Sequence, residues 1–172
     1  METFVLSILG TDRPGLVEAL ASVVANHGGS WQDSHLTELA GMFAGVVLVH
    51  VPQDRSQAFR DALGPLRDRG LLDVSLREVP ADDEASKQGT AIRLELVGGD
   101  RPGIVAEVSH VLSRLEVGIV DLRTWTESTA MAGGPLFRAD AVVRLPDGVT
   151  RQDLTAALED LSDDLMVDIG EA

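Results

Sequence analysis

Apolar and polar positions follow two alternating periods along this chain, and the change of period marks the elements. Glu2 to Leu9 is a short apolar run closed by Gly10, which reads as a strand. Leu16, Val17, Leu20, Val23 and Val24 then recur at helical spacing until Gly28 and Gly29 stop the pattern, with Pro14 expected at the first helical position. Ser30 to Leu39 reads as a second strand with a weak pattern, and the β-branched run Phe43 to Val51 as a third, closed by Pro52. Arg55 to Arg69 is helical by composition, and Asp73 to Val79 forms a last strand. The order then returns: strand Thr90 to Val97, a helix stripe of Ile104, Val105, Val108, Val111, Leu112 and Leu115, strands Gly118 to Thr126 and Phe137 to Leu145, helix Arg151 to Leu161, and strand Leu165 to Ile169. Strand-helix-strand-strand-helix-strand, written twice, predicts an α+β protein. Each copy is expected to be a ferredoxin-like βαββαβ unit, an antiparallel sheet with two helices on one face.

The duplication is visible residue by residue. Gly10 to Val17 (GTDRPGLV) returns as Gly98 to Val105 (GGDRPGIV), a step of 88 residues. That length suits a small domain and is too long for a solenoid unit. The expected division is 1–79, a polar linker over 80–89, and 90–172. Phe43 aligns with Phe137 at a step of 94, so about six residues are inserted around Ser128 to Gly134. Phe4, Leu6 and Ile8 match Ile92, Leu94 and Leu96 and should face the helices. The opposite face of the first unit carries Val5, Ser7, Leu9, Ala44, Val46, Leu48 and His50, and that of the second Arg93, Glu95, Val97, Arg138, Asp140, Val142 and Arg144. An apolar sheet face is rarely left in water, so the first is expected to be covered by the second unit or another subunit, and the second to be wetter.

Charge narrows the function classes. With 14 basic and 28 acidic side chains the net charge is −14, the arginines are scattered, and Lys87 is the sole lysine. Such a chain repels a polyanion, so no direct nucleic-acid binding is expected. Cysteine is absent, which excludes disulfides, a thiolate nucleophile and sulfur metal sites. No apolar run approaches the ~20 residues that span a bilayer, and the N-terminus lacks a basic stretch followed by an apolar core. A cytoplasmic protein without membrane contact is the expectation. His27, His35, His50 and His110 show no paired ligand spacing, so no metal site is expected. Asp82, Asp83, Glu84, Asp163 and Asp164 read as solvated loop charges. Trp31 and Trp125 suit core or interface better than a pocket wall. No phosphate-binding glycine motif and no nucleophile elbow is present, so no catalytic residue and no cofactor is expected.

The repeated turn is where chemistry is expected. A strand ends, Gly-x-Asp-Arg-Pro-Gly follows, and a helix begins; free N–H groups at a helix start attract carboxylates and phosphates. Gly15 and Gly103 lack a Cβ and let a ligand approach the backbone. Asp12 and Asp100 either cap the turn by accepting an N–H near the glycine or hold a ligand ammonium group. Donors beside a carboxylate suit a zwitterion, and the smallest such ligands are amino acids. A turn that merely starts a helix is the competing reading.

A Gly-x-Asp-Arg-Pro-Gly-[Leu/Ile]-Val turn within βαββαβ resembles the ACT domain, and two in tandem filling nearly all of the chain resemble the glycine cleavage system transcriptional repressor family. The resemblance implies a regulatory module, not an enzyme, that binds a small amino acid, glycine or serine, and acts by contact with a partner regulatory protein such as a transcription factor. It places ligand contacts at Asp12, Arg13, Pro14, Gly15, Leu16 and Val17, and at Asp100, Arg101, Pro102, Gly103, Ile104 and Val105. Asp33 and Asp121, on the second strand of each unit and also 88 residues apart, are weaker candidates for the ammonium. Sheet edges and the apolar face suit a homodimer. Two other classes stay open: a ligand-free interaction module, and a small acylphosphatase-like enzyme in which Arg13 or Arg101 cradles a phosphate.

Overall fold

The computed structural model describes residues 1–80, 89–128 and 134–172. The first half contains β1 (Glu2–Thr11), α1 (Leu16–Asn26), β2 (Ser30–Leu39), β3 (Met42–Val51), α2 (Ser56–Asp68) and β4 (Asp73–Val79), with a 3-10 turn at Gln53–Arg55 before α2. The second contains β5 (Thr90–Gly99), α3 (Ile104–Arg114), β6 (Gly118–Ser128), β7 (Pro135–Leu145), α4 (Arg151–Glu159) and β8 (Met166–Glu171). The chain divides into two compact units, Met1–Ala85 and Ser86–Ala172. Residues 81–88 of the expected linker, the acidic run Asp82 to Glu84, and residues 129–133 of the expected insertion lie outside the described residues.

Both sheets are antiparallel and share one order, β2-β3-β1-β4 in the first unit and β6-β7-β5-β8 in the second. The period-2 alternation decides which face is buried. Phe4, Leu6 and Ile8 of β1 are at most 4% exposed and pack with Leu16, Leu20 and Val24 of α1 and Phe59, Leu63 and Leu66 of α2. The Phe4 and Phe59 rings meet at 6.0 Å. Ile92, Leu94 and Leu96 do the same against Ile104, Val108 and Leu112 of α3 and Leu154 and Leu158 of α4. Each fully buried side chain of this size contributes about 1.5–3 kcal/mol of transfer free energy.

The outer faces differ as their sequences do. On the second unit, Arg93 pairs with Asp140 at 2.7 Å and with Glu95 at 3.2 Å, and Arg138 with Glu127 at 2.5 Å. On the first, Val46 is 43% exposed and Leu48 half-buried, so its apolar face stays uncovered within its own unit.

A shared irregularity marks the edge strands. In both β2 and β6 the ladder slips by one residue, between Trp31 and Asp33 and between Ile119 and Asp121. Each slip is a β-bulge, with Gln32 and Val120 at the unpaired position.

Candidate functional site

Each duplicated turn leaves the end of a central strand. Thr11 pairs with Met42 and Gly99 with Leu136, and the next amide donates across to the neighbouring hairpin: Asp12 N–H to the Gly41 carbonyl at 2.8 Å, Asp100 N–H to the Pro135 carbonyl at 2.9 Å. These bonds fix the aspartate backbones before the helices begin.

The helix starts are set by glycine. Gly15 and Gly103 are the N-caps, with φ of 94° and 91°, a left-handed conformation that residues with a Cβ adopt only at a cost. No side chain caps either helix. Asp12 and Asp100 therefore do not serve as caps, contrary to one of the two roles expected of them: the glycine has taken the N-cap position three residues on. Pro14 likewise lies just outside α1 rather than at its first position. The first intrahelical bonds are Ala19 N–H to the Gly15 carbonyl at 2.9 Å and Glu107 N–H to the Gly103 carbonyl at 3.0 Å. The amides before them lie outside the helical ladder. By contrast, α4 closes its start with a reciprocal Thr150–Asp153 capping box.

The turn residues line an open cleft in each unit. In the first it is bordered by Asp12, Arg13, Pro14, Gly15, Leu16 and Val17 with Glu18 and Phe43. In the second it is bordered by Asp100, Arg101, Gly103, Ile104 and Val105 with Ala106, Phe137 and the β6 residues Thr124, Trp125 and Thr126. Val17 and Val105 are each 44% exposed. Trp125 borders this cleft by its place on β6, while its pairing with Arg138 sets its indole on the outer face of the sheet beside Arg123.

The two arginines are held differently. Arg13 Nη2 donates to the Gly70 carbonyl, a neutral acceptor just past α2, at 2.5 Å. Arg101 pairs with both carboxylate oxygens of Glu107, at 2.7 and 2.5 Å. The position equivalent to Glu107 in α1 is Ala19, so the first unit has no counterpart. Hydrogen bonding from Arg101 holds the Glu107 carboxyl below its ordinary range. Asp164, expected as a plain loop charge, accepts the Ser162 hydroxyl and the Gly99 amide. The Ser162 bond first and the Gly99 bond second hold its carboxyl down as well, with a smaller contribution from Arg101. Glu107 was not singled out from the sequence, where its signal was a break in the repeat, and Asp164 was read only as a loop charge.

Asp33 and Asp121 are not brought to the turns. β2 and β6 lie at the sheet edges with β3 and β7 between them and the central strands. Asp33 pairs with Leu48 and Asp121 with Val142, on the outer faces. Each is six residues along β3 or β7 from the position beside the turn, roughly 20 Å at strand rise. The Asp33 carboxylate accepts the Ser34 amide at 2.7 Å.

Among the described residues, no helix is long and apolar enough to cross a membrane. Comparison with known proteins agrees with the geometry. Residues 2–75 match the model of the ACT domain family. The ACT domain-containing protein ACR6 of Arabidopsis thaliana is 35% identical over 84 residues, 49% of this chain and 16% of that protein. UPF0237 protein MK1213 of Methanopyrus kandleri is 38% identical over 53 residues, 31% of this chain and 59% of that one. The chain thus spans less than two thirds of the length of these curated relatives. A protein of unknown function from Galdieria sulphuraria superposes with a TM-score of 0.84 at 28% identity, covering 99% of this chain and 98% of that one. A candidate glycine cleavage system transcriptional repressor superposes with a TM-score of 0.72 at 15% identity, with 99% and 98% covered, a likeness of fold.

Proposed function

We propose that this is a tandem ACT-type protein, its first unit matching the ACT domain model and its second repeating the same fold, and that it senses a small amino acid and passes the signal to another protein by contact. The observation that carries this reading is the duplicated glycine-capped turn. In each unit it sets helix-start amides outside the ladder beside an aspartate whose backbone is fixed. Such donors suit a carboxylate, and the neighbouring aspartate carboxylate suits an ammonium group. Glycine and serine are the proposed ligands of the turns Asp12 to Val17 and Asp100 to Val105.

Ligand would favour one arrangement of units or subunits over another through a difference in affinity between them. Likeness to the candidate repressor supports a target in transcription, and the net charge of −14 supports reaching it through a partner protein rather than through nucleic acid. The proposed setting is the cytoplasm, without catalysis.

Thermal unfolding against the twenty amino acids tests this. Ligand at a hundredfold excess over its Kd adds about 2.7 kcal/mol to the folded state, a rise of several degrees at roughly 2–4 °C per kcal/mol. Stabilisation by glycine or serine is the expected result. A flat panel would reject the sensor.

A further inference from the structure

We propose that the outer sheet face of the first unit joins two copies of this chain, stacked sheet on sheet about a two-fold axis that runs along β1 and β3. The proposal is independent of the ligand reading.

The face is apolar where its counterpart is charged. Six large apolar residues are exposed in the first unit among the described residues, and four of them, Leu9, Leu39, Met42 and Val46, lie on this face at 39–76% exposure. In the second unit the positions of Val5, Ser7 and Val46 are held by Arg93, Glu95 and Asp140, where Arg93 pairs with both carboxylates. That face satisfies itself in water, whereas an apolar face of this extent is rarely left there.

The strand order makes the first face complementary to itself. In β2-β3-β1-β4 two strands lie on each side of the line between β3 and β1. A two-fold axis along that line lays β2 of one copy over β4 of the other, and β3 over β1, as an isologous contact requires. Asp33, Leu48, Val5 and Arg77 form one row across the four strands, so Asp33 of each copy faces Arg77 of the other. In the next two rows Val46 pairs with Ser7 and Ala44 with Leu9, so each large side chain meets a small one across the axis.

Charge supports the same arrangement. Among the described residues Arg77 has no ion pair, and the Asp33 carboxylate accepts only the Ser34 amide. Asp73, the other carboxylate on the face, is answered by Arg67 at 3.0 Å. The face is therefore close to neutral in a chain of net charge −14, with one unused charge of each sign at opposite edges. Four strands about 4.8 Å apart and roughly 34 Å long cover about 650 Å² per copy, which in total falls within the range of specific interfaces. Sheets packed in this way lie about 10 Å apart with strands within roughly 30°.

Sedimentation velocity of the full chain over a range of concentrations tests the proposal, alongside V46D, V142D on the second unit's outer face, D33R, R77D and the double charge exchange D33R/R77D. The expected result is a dimer that V46D disperses and V142D leaves intact. D33R and R77D should each weaken dimerisation at least tenfold, and the double exchange should recover most of the loss. Val46 and Val142 both lie outside the cores, and circular dichroism confirms that each variant is folded. A monomeric parent chain, a dimer unmoved by V46D, or a dimer lost in V142D instead overturns the contact. Charge variants without effect, or a double exchange no tighter than the single ones, overturn the two-fold stacking of β2 over β4.

Discussion

The turns at Asp12 to Val17 and Asp100 to Val105 share five of their six residues and the same left-handed glycine, yet they present different surfaces, because what differs lies one helical turn or one strand away. Exchanging Ala19 for Glu107 moves the turn's arginine from a carbonyl past α2 onto its own helix. Exchanging Thr37 for Trp125 places an indole on the outer face of the second sheet, where Arg123 stacks on it. Duplication thus preserved the backbone device and released the side chains around it, as expected when a scaffold is kept and its site diverges. The glycine is fixed by φ, which no other residue matches without strain, whereas surface neighbours change at little structural cost.

The largest effect that bears on this comparison is in the cores. The buried clusters of the two units share no residue. Phe59→Ala should destabilise the first unit by about 3–5 kcal/mol and Leu154→Ala the second by about 2–5 kcal/mol. Scanning calorimetry should then show one transition falling while the other holds. A single transition that falls equally for both variants would show that the units unfold together.

The turns come next. An added Cβ meets nothing within 4 Å at Gly15 and only the Glu107 Oε1 at 3.9 Å at Gly103, so there is room for a side chain. The cost of Gly15→Val or Gly103→Val is therefore backbone strain, about 1–3 kcal/mol. It should appear with a loss of amino-acid stabilisation confined to the altered unit. Unchanged affinity in both variants would reject the turns as the binding site.

Helix ends give a smaller contrast. α1 ends through Gly28 at φ 68°, with Gly29 N–H on the Val24 carbonyl; α3 ends the same way through Glu116 at φ 56°, with Val117 N–H on the Leu112 carbonyl. Glycine is the residue this position favours. Glu116→Gly should raise the second unit's stability by about 1 kcal/mol, and a urea midpoint that does not rise would show the left-handed glutamate to be unstrained.

How far the sequence revealed this depends on the kind of information each feature needs. Ser30 to Leu39 and Asp73 to Val79 are strands with the boundaries the pattern predicts, and Phe4, Leu6 and Ile8 are buried as alternation requires, because side-chain period is local. The turn announced itself by being written twice. Asp33 misled because its 88-residue echo in Asp121 says nothing about sheet order, and only the pairing of β3 between β2 and β1 shows that it lies far from the turn. Asp12 misled because capping was assigned by residue type, whereas the left-handed glycine moved the N-cap three positions on. Glu107 was legible only as a difference between repeats. On a lone helix it is one more exposed carboxylate, and its role depends on where the arginine six residues earlier folds back.

The smallest expected effect follows from that same carboxylate. In the second unit Glu107, Asp153 and Asp164 are held below their ordinary ranges, by Arg101, by Thr150, and by Ser162 with Gly99 respectively. A carboxyl with a depressed pKa binds its proton less readily folded than unfolded, so its contribution to stability is complete above the unfolded pKa, about 4. That contribution is lost as pH falls through the lower folded value. All three groups face solvent, so screening keeps each contribution small. Acidification from pH 5 to pH 3 should therefore lower the transition of the second unit more than that of the first, and Glu107→Gln should narrow the gap. If the first unit proves the more acid-sensitive, the Arg101–Glu107 pair is not what separates the two turns in solution.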